Sequence, residues 1–293
     1  MGQDEAAAKY SGEHSKVTLK GSTNINLSVN SSPNNGRYSG ISVVGGSKLE
    51  ANAPVLIQSK LKEKIDFSKD QKIDIYGVSA GTYLPDTQIA SSSRSGSANF
   101  NGGLIVKAPI GYNPALNHFI ALHSNNTMHY SGDFGGIHID NTGSQNVVQI
   151  EGLTKTEWSG FITLKLSGKD SFISGAMESI RSNGSYDGFI YLTLENGATW
   201  NVLENLDHDE YYWFNKRESQ IYNIDLASGG SINLSRPDHY NKFFEQSPYQ
   251  TVKVWNYLKE ALQKPPLPSR MEHKCSVRLF LTTPECAVFL PMQ

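Results

Sequence analysis

The sequence is short of cysteine, of charge and of long apolar runs, and each shortage removes a class of protein. The first 274 residues contain no cysteine, and the only two, Cys275 and Cys286, lie near the end of the 293-residue chain. A pair this local cannot staple the main body, so the fold is not a disulfide scaffold. A cysteine-free body also suits a chain that crosses an oxidising compartment unfolded. Charged residues make up only 18% of the chain, and 26 Lys+Arg against 28 Asp+Glu leave a net charge of -2. That balance excludes a strongly basic nucleic-acid binder and a polyacidic tail. No run approaches the roughly eighteen apolar residues a membrane-spanning helix needs. The opening stretch MGQDEAAAKYSGEH lacks both the basic and the apolar region of a signal peptide.

What is present is small and polar: 26 Gly, 34 Ser and 23 Asn supply more than a quarter of the residues. Against that background run short segments with an apolar residue at every second position. They include Val17–Lys20, Ile25–Val29, Ile41–Val44, Lys72–Tyr76, Gly103–Val106 and Gly136–Ile139. Phe161–Leu166, Phe189–Leu194, Ile221–Leu226 and Ser231–Leu234 continue the series. Period two over four to seven residues between turn formers reads as a strand with one buried face. Helical periodicity is confined to Val254–Leu262, so the chain is all-β.

A sandwich, a barrel and a solenoid compete for such a pattern, and the turns decide between them. Tight Asn-Gly hairpin signals are few, Asn196-Gly197 being the clearest. Strands instead follow one another across small polar corners, and LTLENGATWNV at 192–202 resembles IDLASGGSINL at 224–234. The expected fold is therefore a right-handed parallel β-helix (β-solenoid) with short polar corners and at least one lateral insertion. At roughly 20–25 residues per coil, ten or eleven coils would make a rod on the order of 50 Å long.

Three segments in succession carry a family resemblance. Asn196–Val202 has the form G-A-x-W-x-V, Gly229–Leu234 the form G-G-x-I-x-L, and Val252–Leu258 a V-x-V-x-x-x-L strand. Their order resembles the late passenger region of Gram-negative autotransporters, over about residues 150–258. The resemblance implies a β-helical passenger exported through a C-terminal translocator barrel. After Lys259-Glu260 the Gly-rich β segment that the family places next does not follow. Pro265, Pro266 and Pro268 and then both cysteines come instead, and the end Val288–Gln293 is not a barrel strand closing on an aromatic. The expected organisation is a disordered or capping N-terminus at 1–16, a solenoid passenger at 17–258, and a Pro-rich, Cys-containing tail at 259–293. That tail reads either as a shifted reading frame outside the fold or as a natural spacer.

Several residues with catalytic potential also have structural readings. Gly77-Val-Ser79-Ala-Gly81 matches G-x-S-x-G after a strand, but Thr82–Thr87 reads as a loop with Pro85 where a nucleophile elbow needs a helix. The expectation is a solenoid corner. Gly132–Gly136 has Phe134 where a passenger serine protease carries its nucleophile. His118, His123, His129 and His138 fit no metal-ligand spacing, although His118 and His138 could stack one coil apart. Gly135–Asp140 departs from the calcium nonapeptide at His138. No metal and no cofactor is expected.

The run Asn205–Arg217 contains Tyr211, Tyr212, Trp213 and Phe214 in a row. Four consecutive aromatics cannot all face the core of a coil, so they form a lateral insertion or a ligand-contact patch, with Phe243, Phe244 and Tyr249 as possible neighbours. The resemblance implies a non-enzymatic, adhesin-like rod at the cell surface of the parent protein. Its partners would be a host or bacterial surface glycan or protein, or a second copy, with no nucleic acid and no membrane span. From a different class comes a β-helical glycan-cleaving enzyme, with Asp133, Asp140, Asp187, Asp207 and Asp209 as the acids from which a pair would be drawn.

Overall fold

A computed structural model describes residues 15–29, 36–61, 73–82, 95–110, 117–126, 135–179, 188–202, 218–233, 251–254 and 277–278. Among them there is no helix, and the strands wind into coils of three. The first coil is β1 (Lys16–Leu19), β2 (Thr23–Val29) and β3 (Gly36–Val44), and the second β4 (Lys48–Ala51), β5 (Val55–Leu61) and β6 (Ile73–Gly81). The third is β7 (Ser97–Phe100), β8 (Leu104–Ile110) and β9 (Asn117–Asn126); the fourth is β10 (Ile137–Asp140), β11 (Val148–Glu151) and β12 (Leu153–Trp158). β13 (Phe161–Ser167), β14 (Phe172–Gly175) and β15 (Met177–Ser179) make the fifth, and β16 (Phe189–Glu195), β17 (Thr199–Val202) and β18 (Glu218–Ile221) the sixth. The seventh is β19 (Asn223–Leu226), β20 (Ser231–Asn233) and β21 (Thr251–Val254), followed by β22 (Val277–Arg278).

Every third strand joins the same parallel sheet, which is the signature of a parallel β-helix. The first sheet runs β1-β4-β7-β10-β13-β16-β19 and the second β2-β5-β8-β11-β14-β17-β20. The third runs from β3 to β15, and β18 and β21 pair beyond it, with Ser219 Oγ accepting a hydrogen bond from the Met177 amide at 3.2 Å. Seven stacked strands at the usual spacing give a described stack about 30 Å long. The described coils are fewer than the ten or eleven expected because they are longer. Successive first strands begin 24 residues apart between Ile137 and Phe161 but 49 apart between Lys48 and Ser97.

The core is a set of side-chain columns, one residue per coil. In the second sheet Ile25, Ile57, Val106, Ile150, Ile173, Trp200 and Ile232 stand in register along the whole stack. In the first sheet Leu19, Ala51, Phe100, Ile139, Leu164, Leu192 and Ile224 do the same. The two segments that look alike in sequence are stacked neighbours, Leu192 over Ile224 and Trp200 over Ile232. The corner between β16 and β17 needs left-handed backbone at both Asn196 (φ 54°) and Gly197 (φ 91°), which explains the Asn-Gly pair there. Among the described residues the large hydrophobics left most exposed, Val17 and Leu226, belong to the two outermost described strands of the first sheet.

Several expectations need correcting. Ile221–Leu226 is not one strand: Ile221 ends β18, the chain turns at Tyr222, and Asn223 opens β19 in another sheet. The first described strand begins at Lys16. Gly77–Gly81 is not a corner but the second half of strand β6. His118 lies in the third sheet and His138 in the first, so they do not stack. In the tail, Val277 and Arg278 pair antiparallel with Val254 and Lys253, while the rest, including both cysteines, lies outside the described residues. So do residues 1–14, the helical candidate beyond Val254, and His129. No helix among the described residues is long and apolar enough to cross a membrane, which says nothing of β-barrels.

Among the described residues Trp200 is the largest fully buried side chain, and its indole N–H donates to the Gly175 carbonyl at 3.0 Å. Trp200→Ala is expected to lower stability by about 3–5 kcal/mol, read as a shifted urea midpoint, because the cavity lies between two ordered coils that cannot collapse into it.

Candidate functional site

Two arrangements stand out from the regular ladders. The first is on the third sheet, where the inside-outside alternation of β6 and β9 breaks. Ala121 and Leu122 are consecutive yet both enter the main core, and a Cβ on Gly77 beside them would meet Val106 Cγ1 at 2.7 Å. Gly77 is thus required by packing. The break returns Ser79 and His123 to the side of a separate apolar column, Tyr76, Ile120, Leu153 and Ala176, with the Tyr76 ring 5.3 Å from that of His123.

There a hydrogen-bonded relay crosses three coils. Ser79 Oγ lies 3.1 Å from His123 Nδ1, and His123 Nε2 lies 3.2 Å from Glu157 Oε2. A carboxylate only accepts, so Nε2–H donates to Glu157. In the neutral imidazole Nδ1 is then bare and accepts the Ser79 hydroxyl. Lys155 Nζ holds the other Glu157 oxygen at 2.6 Å. Burial opposes ionisation of Glu157, but the Lys155 charge and then the His123 hydrogen bond outweigh it and hold the carboxyl far below its usual range.

The connectivity is that of a serine-histidine-acid triad with the two ring nitrogens exchanged. Acyl transfer needs more than connectivity. Ser79 is fully buried, and its backbone sits mid-ladder between Ser42 and His123, not on a strand-to-helix turn with amides free to hold an oxyanion. As placed, the relay fixes one tautomer of a buried histidine and satisfies a buried hydroxyl.

The second arrangement is an aromatic strip on the outer side of the first sheet. Phe161 and Phe189 share one outward column, and His138, Thr163, Tyr191 and Asn223 share the next. Rings meet diagonally: His138 to Phe161 at 5.5 Å, Phe161 to Tyr191 at 5.1 Å, Tyr191 to Tyr222 at 5.1 Å and Phe189 to Tyr222 at 4.9 Å. These distances lie in the range of favourable aromatic pairs. All five residues are half-buried. Burial lowers the pKa of His138, while burial and then the neighbouring Tyr222 raise that of Tyr191, so both shifts favour the uncharged side chain. Beside it Asp140 and Lys165 form an ion pair at 3.5 Å.

The aromatic run expected to contact ligand, Tyr211, Tyr212, Trp213 and Phe214, lies outside the described residues, as do Phe243, Phe244 and Tyr249. Of the five acids proposed for a glycan-cleaving pair only Asp140 is described. Burial opposes its ionisation, but hydrogen bonds from Thr142 and the charge of Lys165 prevail and keep its pKa low, the reverse of what a general acid requires. No group of three or more metal-ligating side chains occurs among the described residues. Sequence reasoning missed Glu157 and all of the strip. Ser79 and His123 are 44 residues apart and His123 and Glu157 are 34 apart, spacings that carry no signal until the coils are in register.

Two measurements check the relay. Glu157→Gln is expected to cost about 1–3 kcal/mol at pH 7. Because the folded-state pKa is depressed, that contribution is complete above the ordinary value of 4.5 and is lost as pH falls below it. Urea unfolding at pH 7, 4 and 3 should therefore show the gap between wild type and Glu157→Gln closing with acid. A fluorophosphonate probe should leave Ser79 unlabelled; labelling that Ser79→Ala abolishes would show a nucleophile within reach of substrate.

Comparison of the chain with protein-family models, with curated proteins and with solved structures found no match in any of the three.

Proposed function

We propose that this chain is the passenger part of an autotransporter-type protein and works as a non-enzymatic contact rod at the cell surface. The observation that supports this is the placement of the three resembling segments. Asn196–Val202 forms the corner and second strand of the sixth coil, Gly229–Asn233 stacks on it in the seventh, and Thr251–Val254 pairs with β18 beyond the third sheet. A stack of coils held by backbone pairing and inward aliphatic columns presents long outer faces without needing a catalytic centre. On the second sheet those faces carry polar contacts between coils, such as Asn201 Nδ2 to Ser174 Oγ at 3.0 Å and Asn233 Nδ2 to Asn201 Oδ1 at 3.3 Å. On the first sheet they carry the aromatic strip. The parent protein would be held at the outer membrane, and the rod would touch a glycan, a protein or another copy of itself.

The test is to place the full chain between a signal peptide and a translocator barrel in a Gram-negative host. Intact cells should bind antibody against the chain, lose that signal on protease shaving, and adhere or clump more than cells carrying the barrel alone. An inserted barrel with the chain retained inside would sink the passenger reading. Display without any gain in contact would sink the contact-rod reading.

A further inference from the structure

We infer that the strip formed by His138, Phe161, Phe189, Tyr191 and Tyr222 is a docking surface for an uncharged polysaccharide chain lying along the axis of the stack. The inference rests on the contact-rod reading for its setting and deepens it by naming the ligand class. The rings step from one coil to the next, from β10 through β13 and β16 to the corner before β19. They therefore follow the stacking direction over about 15 Å. A surface with apolar faces recurring at the coil spacing fits a ligand with an apolar face recurring along a line, and the C–H face of successive sugar rings is such a ligand. Hydroxyls at the rim of each sugar need donors and acceptors beside the rings. Thr163, Thr193 and Asn223 stand in or next to the strip, and the Tyr191 and Tyr222 hydroxyls lie within it.

Charge selects among polysaccharides. In the outward column beside the strip, Lys165 and Asp140 neutralise each other, and past Thr193 the column ends on a second carboxylate, Asp225. Among the described residues an anionic chain would meet no surplus cation, and a nucleic acid would meet none of the Lys/Arg density its phosphates require. The strip also ends within the stack. The second outward column carries Asn99 before His138 and Asn223 after Tyr191, and the coils nearer the N-terminus replace rings by ions, as in Lys16 with Glu50 at 2.8 Å. A finite strip recognises a chain segment of defined length.

The experiment uses the purified full chain, so it does not depend on export. Cello-oligosaccharides and chito-oligosaccharides from dimer to hexamer are titrated by calorimetry, with a heparin oligosaccharide as the anionic comparison. At least one neutral series should bind, with affinity rising with length until the strip is spanned and level thereafter. Phe161→Leu and Tyr191→Leu keep an apolar side chain in the cross-strand packing but remove a ring face. Each should weaken binding about threefold to tenfold, and the pair should abolish it, with unfolding midpoints close to wild type. Asn201→Ala on the second sheet should leave affinity unchanged.

Binding that survives the double variant would overturn the inference, as would binding of the heparin oligosaccharide alone or of no oligosaccharide. Sedimentation showing self-association that Tyr191→Leu abolishes would also overturn it, by making a second copy the occupant. Oligosaccharide binding by a chain that fails the display test would leave this inference standing and the passenger reading fallen.

Discussion

Everything in this structure depends on coil stacking in register. A parallel ladder forces residue i of one coil to lie over one residue of the next, so an inward position in one coil is inward in all of them. Columns such as Ile25–Ile232 follow from that constraint: each member buries its neighbours, and a polar residue anywhere in the column would meet apolar contacts above and below. Outward positions obey the same rule with the opposite chemistry. Identical or complementary polar groups repeat at the strand spacing, close enough to hydrogen-bond from coil to coil, as Thr199 and Ser231 do at 3.1 Å. The hydrophobic term and the polar ladders are two results of one geometric requirement.

The three corners of the coil are used unequally. Links between the first and second sheets run three to seven residues, whereas all the long intervening segments, 62–72, 82–96, 127–136, 180–188, 203–217 and 234–250, adjoin the third sheet or the β18–β21 pair beyond it. The first sheet therefore keeps its column order throughout, and the second keeps it apart from one register shift between β5 and β8, at Gln58 to Lys60. The third departs from it at Gly77 and Ala121-Leu122, and its inward positions turn polar in Ser124, Thr156 and Ser179. There Ser124 Oγ accepts the Phe161 amide, so a hydroxyl inside the coil satisfies backbone at the corner leading to the next strand. The Ser79–His123–Glu157 relay belongs to this sheet, where relaxed alternation leaves a buried polar set that must find its own partners.

The two candidate arrangements differ in what they can meet. The relay is internally complete: the carboxylate has its ammonium and imidazole, the imidazole its hydroxyl, and the hydroxyl exposes no surface. Its chemistry is directed inward, toward holding three coils together. The strip lies along an outer sheet face, its rings tilted against one another and all five residues half-buried rather than buried. That contrast, and not the resemblance of either to a known motif, is why binding is assigned to the strip and none to the relay.

Fold class was legible in the sequence because period two is a property of single strands. Phe161–Leu166 and Phe189–Leu194 declare one buried face each, and the likeness of 192–202 to 224–234 announces a coil repeat that the register bears out. Coil number was not legible, since segments of unequal length separate the strands and hide the period. Short strands such as β4, β7 and β15, of three or four residues, carry too few alternations to be read alone. Both candidate sites were out of reach for the same reason. That Ser79 meets His123, or that Phe161 meets Tyr191, depends on how many residues each coil spends at its corners, and no local property of the chain encodes that sum. The sequence by itself determined the inward face of each regularly alternating strand and that the strands stack; only the tertiary structure decided where that alternation breaks and which outward residues become neighbours, because register, set by every corner at once, is what brings them together.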